Sequence, residues 1–403
     1  MNRLIIGVAL ICGLLSKASA GLAQNSSDDP YVSERKEAYQ LYNSDRHLEA
    51  LPLFEDLAKR NPDDADVLAG LASCLIDRSV TLSNQEDGAK ERIRARSLLM
   101  KAQQLGNNSS LVQNLLQVTP ENGVITYDSG AAGNEIHLGE VAFARRDFDE
   151  AIEHYSKALE LDPRNYAAAL FVGDTYFAEK KLPSAGLWYE RAVQIDPNRE
   201  TAYRYHSDML TKTGDMAAAR KKAIQAVVAE PYNPITWRGL QQWANASKVK
   251  LTTVHIKTPN SVSEKDKSHI NINIDPNQSQ EGMSVWLVYS MSRAKWRGDE
   301  FKKHFPNEKE YRHSLPEEAQ ALSVAATVLR SNLGKKGNKT EMPKDSDLAW
   351  LLKISSAEML EAYVLLSAAD NGIAQDYDQY RQQNRAKLEA YLSEFIVPEL
   401  GEK

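Results

Sequence analysis

Between residues 132 and 233 the apolar side chains recur three and four positions apart, in short runs separated by polar turns. Leu138 and Ala142 fall on one helical face with Glu135, and Ala151, Tyr155, Ala158 and Leu159 on another. Arg145, Arg146 and Asp147 lie between them, so this stretch predicts two antiparallel helices joined by a polar turn. The same pattern returns at a fixed interval. Adding 34 to Leu138, Gly139, Ala142, Phe148, Ala151, Tyr155 and Ala158 gives Val172, Gly173, Tyr176, Leu182, Ala185, Tyr189 and Ala192. A second step of 34 gives His206, Ser207, Leu210, Met216, Ala219, Ala223 and Ala226. Pro163, Pro197 and Pro231 close the three units, where the missing N–H stops a helix. Asn165 and Asn233 are placed to cap the helices that follow, with Pro234 in the first turn.

Leu-Gly, Ala, aromatic, Ala and Pro in that order, on a period of 34, resemble tetratricopeptide repeats. The resemblance is full in 132–165 and 166–199. It is partial in 200–233, where His206-Ser207 replace Leu-Gly and Ala223 replaces the aromatic. The segment Trp237–Trp243 reads as a closing helix. Ala38, Leu41, Ala50, Phe54, Leu57 and Pro62 keep the same offsets in a weaker unit. A degenerate unit follows from Leu68, with a polar insert at Thr81–Arg92 expected to lengthen its inter-helix loop. The fold class expected is a mainly α tetratricopeptide-type solenoid followed by an α-rich C-terminal domain with a short β-hairpin. The expected divisions are a signal peptide at 1–23, degenerate repeats at 30–117, a loop or joint at 118–133, three repeats plus the closing helix at 134–247, and the C-terminal domain at 248–403.

In that last region the helical period stops. Val249, Leu251 and Ile256, then Ile270, Ile272 and Ile274, alternate as strand residues do, and predict a hairpin over about 249–275 whose long polar loop runs from Pro259 to Ser268. Helices are expected at Met283–Trp296, Pro316–Leu333 with Ser314 as its cap, Asp345–Ala369 and Gln375–Ile396, with a basic break at Gly334–Lys339.

The N-terminus alters the picture of destination. Met1-Asn-Arg3, an apolar run from Leu4 to Leu15 and Ala18-Ser-Ala20 have the layout of an export signal, with a second acceptable cut after Ala23. The run is too short to span a bilayer of roughly 30 Å. An exported protein, periplasmic or extracellular, is expected, with no direct membrane insertion after cleavage. Cleavage leaves Cys74 as the one cysteine, so packing and not a disulfide must hold the fold. A net charge of −6 and a pI near 5.9 give no reason to expect a nucleic-acid partner. Asn-x-Ser/Thr triplets at Asn245, Asn277 and Asn338 matter only in a glycosylating host.

The resemblance implies that the first helix of each repeat lines a groove for a protein or peptide partner. Along that helix Glu140, Asp174 and Asp208 recur every 34 residues, beside Phe143, Phe177 and Thr211. Ile136 and Leu170 give way to Arg204, and Arg238 follows. These residues predict an acidic row beside an aromatic row, suited to a segment with basic and apolar side chains whose acidic end meets the two arginines. The alternative is that the charges form a solvated face and the phenylalanines an inter-repeat core. No cofactor or metal site is expected: the eight histidines make no His-x-x-x-His pair, and no phosphate loop or Gly-x-Ser-x-Gly is present. The expectation is therefore a non-catalytic interaction scaffold. An exported enzyme with a hydrolase centre in 249–403 is the second reading; it rests on Arg297, Glu310, Tyr311, His313 and Ser314. A structural part of an envelope assembly is a third.

Overall fold

The computed structural model describes residues 29–44, 46–82, 84–125, 130–258, 262–266, 269–272, 280–335 and 343–401. The signal segment, Ile274, part of the Gly334–Lys339 break, Asn277 and Asn338 lie outside these residues. The chain forms two compact units that divide between Asp215 and Met216.

The first unit contains α1 (Pro30–Asn43), α2 (His47–Arg60), α3 (Ala65–Thr81), α4 (Gln85–Gln104), α5 (Ser110–Val118), α6 (Ala131–Ala144), α7 (Phe148–Leu161), α8 (Tyr166–Ala178), α9 (Leu182–Ile195) and α10 (Glu200–Thr213). Consecutive helices pack as pairs, α1 with α2, α3 with α4, α6 with α7 and α8 with α9, and each pair leans on the next. α6 packs against α3, so the N-terminal and central pairs belong to one stack. α7 and α9 each end two residues before Pro163 and Pro197. Asn165 caps α8 as expected, its side chain accepting from the Ala168 N–H at 3.0 Å. The turn inside each repeat needs a left-handed residue. Arg146 (φ 68°), Lys180 (φ 64°) and Gly214 (φ 87°) fill that place, again 34 residues apart. Gly139 makes room for the second helix of its pair: the Tyr155 ring lies where a Cβ would stand, and at Gly173 the Tyr189 ring lies 2.8 Å from that point.

One expectation is corrected here. The polar insert does not lengthen a loop. Its residues extend α3 to Thr81 and start α4 at Gln85, because Asn84 caps α4 through the Glu86 N–H and acids occupy its first turn. The 118–125 part of the joint is pinned as well. Buried Arg92 donates to the Gly123 carbonyl and, at 2.9 Å, to Ser79 Oγ, while Arg96 donates to the Leu116 and Thr119 carbonyls.

The second unit contains α11 (Met216–Ala229), α12 (Pro234–Ser247), β1 (Val262–Asp266), β2 (His269–Ile272), α13 (Gln280–Lys295), α14 (Phe301–His304), α15 (Leu315–Lys335), α16 (Ser346–Ser356), α17 (Leu360–Ser367) and α18 (Tyr377–Tyr391). The repeat pattern places a boundary near 247, but α11 packs with both α12 and α18. Tyr377 Oη donates to the Val228 carbonyl at 2.7 Å, Arg381 to that of Ala229, and Arg220 to those of Ser393 and Pro398 at 2.9 and 3.2 Å. The last repeat helices and the C-terminal helices thus share a core.

The hairpin expected over 249–275 is not the arrangement found. Residues 249–258 run outside any ladder, with Val254 and Ile256 buried and the Ile256 N–H donating to Tyr363 Oη at 2.9 Å. The short antiparallel ladder pairs β1, taken from the stretch expected as loop, with β2, Val262 opposite Ile272. Ser314 does not cap α15 through a bond of its own: its buried Oγ has no partner among the described residues, and Asp376 accepts the Leu315 N–H at 2.8 Å.

Candidate functional site

The first helices α6, α8 and α10 carry nine of the ten groove residues; Arg238 stands on α12, in the second unit. Ile136 and Leu170 are buried in the core that joins the repeats, together with Ala142, Tyr155, Ala168 and Tyr189. Phe143 and Phe177 pack on that core half-buried, and Lys212 Nζ lies 4.9 Å from the centre of the Phe177 ring. Asp208 and Thr211 also keep part of their surface open. For Ile136 and Leu170, then, the inter-repeat core is the place found.

The acids depart most from expectation. Glu140 is 2% and Asp174 4% exposed, so they do not form a solvent-facing row. Small neighbours explain this. Ala167, Ala168, Ala169 and Gly173 let α8 sit deep in the stack, and Tyr189 on α9 reaches Asp174, its hydroxyl donating to Oδ1 at 2.9 Å. Asp174 Oδ2 has no hydrogen-bond partner among the described residues. Burial pushes the Asp174 carboxyl up to about 8, against the Tyr189 hydrogen bond and the Arg204 charge. Asp208 retains an open edge but is hemmed in by protein, and its carboxyl rises to about 6, with Arg204 and Lys212 opposing. Arg204 is itself buried. It donates from Nε and Nη2 to Glu200 at 2.8 and 3.2 Å, and its guanidinium lies 4.8 Å from the Tyr205 ring centre. The expected anchor for a partner's acidic end is therefore held by Glu200 in this arrangement. Tyr189, Glu200, Tyr205 and Lys212 complete the wall. Sequence reasoning missed them because Tyr189 was counted as repeat packing and Glu200 precedes the regular positions.

The second unit gathers the residues of the enzyme reading. His313 Nδ1 lies 2.7 Å from Asp370 Oδ2, and Nε2 lies 2.9 Å from Glu318 Oε2. Burial disfavours the imidazolium, but the Glu318 and Asp370 carboxylates outweigh burial and Arg293, raising His313 above its ordinary value. Tyr289 Oη donates to Glu318 at 2.7 Å. Arg293 Nε (3.0 Å) and Tyr311 Oη (2.7 Å) donate to Glu317, and Arg297 Nε donates to Tyr311 at 3.2 Å. Glu310 stays exposed, outside this network. The two carboxylates favour the charged form of His313, and the Ser314 Oγ has no hydrogen-bond partner among the described residues. Among the described residues no cluster of His, Cys, Asp and Glu has the arrangement to hold a metal ion.

The tetratricopeptide repeat profile matches residues 35–79 and 137–200. The chain carries tetratricopeptide repeats, and its C-terminal part is unmatched. Among solved structures, it is similar to YrrB, described as a tetratricopeptide protein with an unusual peptide-binding site, at 14% identity over 53% of this chain and 98% of that one, with a TM-score of 0.27. It is also similar to TTC0263, a thermophilic tetratricopeptide protein of Thermus thermophilus, at 18% identity over 54% and 100%, TM-score 0.28. A third is the TPR2AB domain of yeast Sti1 in complex with an Hsp90 peptide, at 13% identity over 54% and 97%, TM-score 0.28. No curated protein matches the chain. Repeats of this kind typically mediate protein–protein interaction.

Proposed function

We propose that this chain is an exported, non-catalytic interaction protein that holds a segment of a protein partner along α6, α8 and α10. The observation that carries the reading is the state of one register: Phe143, Phe177 and Thr211, spaced by 34, stay half-open one turn after the buried Gly139 and Glu140, Gly173 and Asp174, and Ser207. Two aromatic faces followed by the open edge of Asp208 suit a segment with apolar and basic side chains. Export rests on the layout of residues 1–23 alone, and no described helix is long and apolar enough to cross a membrane.

The test is capture from the exported fraction by wild type and by Phe177→Ala with Asp208→Asn. Asp174→Lys is unsuitable, because a lysine in that buried seat would unfold α8. A partner retained by wild type and weakened at least tenfold by the double variant is expected. Equal retention by both would remove the wall from consideration and move the search to 216–401.

A further inference from the structure

Asp174 and Arg204 lie one repeat apart, and each is committed incompletely or elsewhere. Asp174 is buried, and one oxygen takes the Tyr189 hydroxyl at 2.9 Å; the other is closed to solvent and has no partner among the described residues. Arg204 is buried within electrostatic reach of Asp174 but places Nε and Nη2 on Glu200 of its own helix. A protonated carboxyl tolerates this arrangement. A carboxylate does not, because a charge with a bare oxygen in the interior costs several kcal/mol unless a donor comes to it.

We propose that Arg204 is a two-position switch in the seam between α8 and α10: it lies wholly on Glu200 while Asp174 holds its proton, and shifts to share its N–H groups between Glu200 and Asp174 Oδ2 when that proton leaves. The proton goes to solvent, and Arg204 stays charged throughout. Among the described residues of the seam, this guanidinium is the positive charge that acts on the Asp174 carboxyl. From α9 the seam receives Tyr189, which already donates to Oδ1. From α10 it receives Glu200, Arg204, Tyr205 and Asp208, with Lys212 beyond them. α6 and α7 also pack on α8 and bring Glu140, at the register of Asp174 one repeat earlier, and Tyr155, beside Phe171. The rise of the Asp174 carboxyl to about 8 places the change between neutral and mildly alkaline pH. The switch concerns the regulation of the wall proposed above, and rests on that reading only for its effect on a partner. Phe177 and Asp208 stand on the two helices that Arg204 would join, so the half-open register would differ between the two positions.

The experiment is carbon-13 and nitrogen-15 NMR of the full mature chain, following the Asp174 carboxyl carbon and Arg204 Nε from about pH 6 to about pH 9.5, a range that brackets the expected midpoint. The expected result is an Asp174 midpoint near 8 with an Arg204 shift sharing that midpoint. In Asp174→Asn, a substitution of nearly the same shape, the Arg204 shift is lost. In Glu200→Gln the hold on Arg204 weakens, and the Asp174 midpoint falls by about one to three pH units. A pH-independent Arg204 signal in wild type overturns the switch. So does an equal Arg204 shift in Asp174→Asn, or an unmoved Asp174 midpoint in Glu200→Gln. These readouts need no partner, so failure of the binding reading would leave the switch standing, and failure of the switch would leave the wall able to bind.

Discussion

Two buried acidic sites, one in each unit, are satisfied in opposite ways. In the second unit Glu317 and Glu318 are almost wholly enclosed, and donors reach both: Arg293 and Tyr311 for the first, Tyr289 and His313 for the second. In the first unit Asp174 is as deeply enclosed, yet one of its oxygens meets no donor among the described residues. A satisfied ionic network fixes one arrangement of its helices, since any displacement strands several charges at once. A half-satisfied carboxyl stays buried by keeping its proton, and so makes the surrounding packing sensitive to pH. The Glu317–Glu318 network ties α13 to α15, and Asp174, expected on the groove surface, is the acid of the proposed switch.

The comparison breaks first at Glu318. Glu318→Ala would strip the acceptor from Tyr289 and His313 and leave Arg293 with Glu317 alone. Loss of one partner from a buried ionic cluster costs about 3–5 kcal/mol. Urea unfolding should show that loss in the transition reported by Trp286 or Trp296, both buried in the second unit. A cost below about 1 kcal/mol would mean that the network is ornamental. Next in size is Gly173→Ala. The added Cβ would stand 2.8 Å from the Tyr189 ring, which must shift and so loosen its bond to Asp174. Overpacking of this kind costs about 1–3 kcal/mol. Unfolding that matches wild type would show that the ring adapts without loss.

Much of the first unit was legible because one signal was repeated. A helix pair cannot bury its own apolar face, so the spacing of Gly139, Ala151, Tyr155 and Pro163 had to recur at Gly173, Ala185, Tyr189 and Pro197. The polar composition of Thr81–Arg92 points to a loop, but Asn84 and the acids behind it make a helix start. In the second unit no period exists to cross-check a guess. Val254 and Ile256 alternate as a strand would, but they are buried by α-helical neighbours and not by a ladder, which alternation alone does not distinguish. The candidate wall was half legible. Phe143 and Phe177 share one register and pack half-buried on one core, but the depth of Asp174 depends on the small residues of α8 and on Tyr189 of α9, a contact that no single helix encodes.

Asp174→Asn sharpens the comparison through pH. The folded-state carboxyl lies near 8 and the ordinary aspartate value near 4, so between these limits the folded chain holds a proton that the unfolded chain has released. Wild-type stability should therefore fall as pH rises from about 4 to about 8 and level off above. Asparagine carries no titrating proton, so the variant should match wild type near pH 4 and gain on it steadily, by about 5 kcal/mol at about pH 8. Thermal unfolding across this range checks the slope. A difference that stays constant with pH would show that Asp174 is not the group responsible.

The smallest test concerns the turns. Lys180 in the first unit (φ 64°) and Glu358 in the second (φ 60°) both hold a left-handed conformation that a Cβ disfavours. At the register of Lys180 the third repeat already has Gly214, and the Lys180 N–H closes its turn on the Phe177 carbonyl at 2.9 Å. Lys180→Gly should therefore keep the turn and relieve its strain. Greater chain entropy in the unfolded state offsets part of the gain, leaving about 0.5–1 kcal/mol of added stability. Glu358→Gly should do the same for the turn between α16 and α17, where the Glu358 N–H donates to the Ser355 carbonyl at 3.3 Å. Because neither side chain enters the buried acids of its unit, the two gains should be alike in urea midpoint. A gain at Glu358 alone would locate a stabilising contact at the Lys180 side chain.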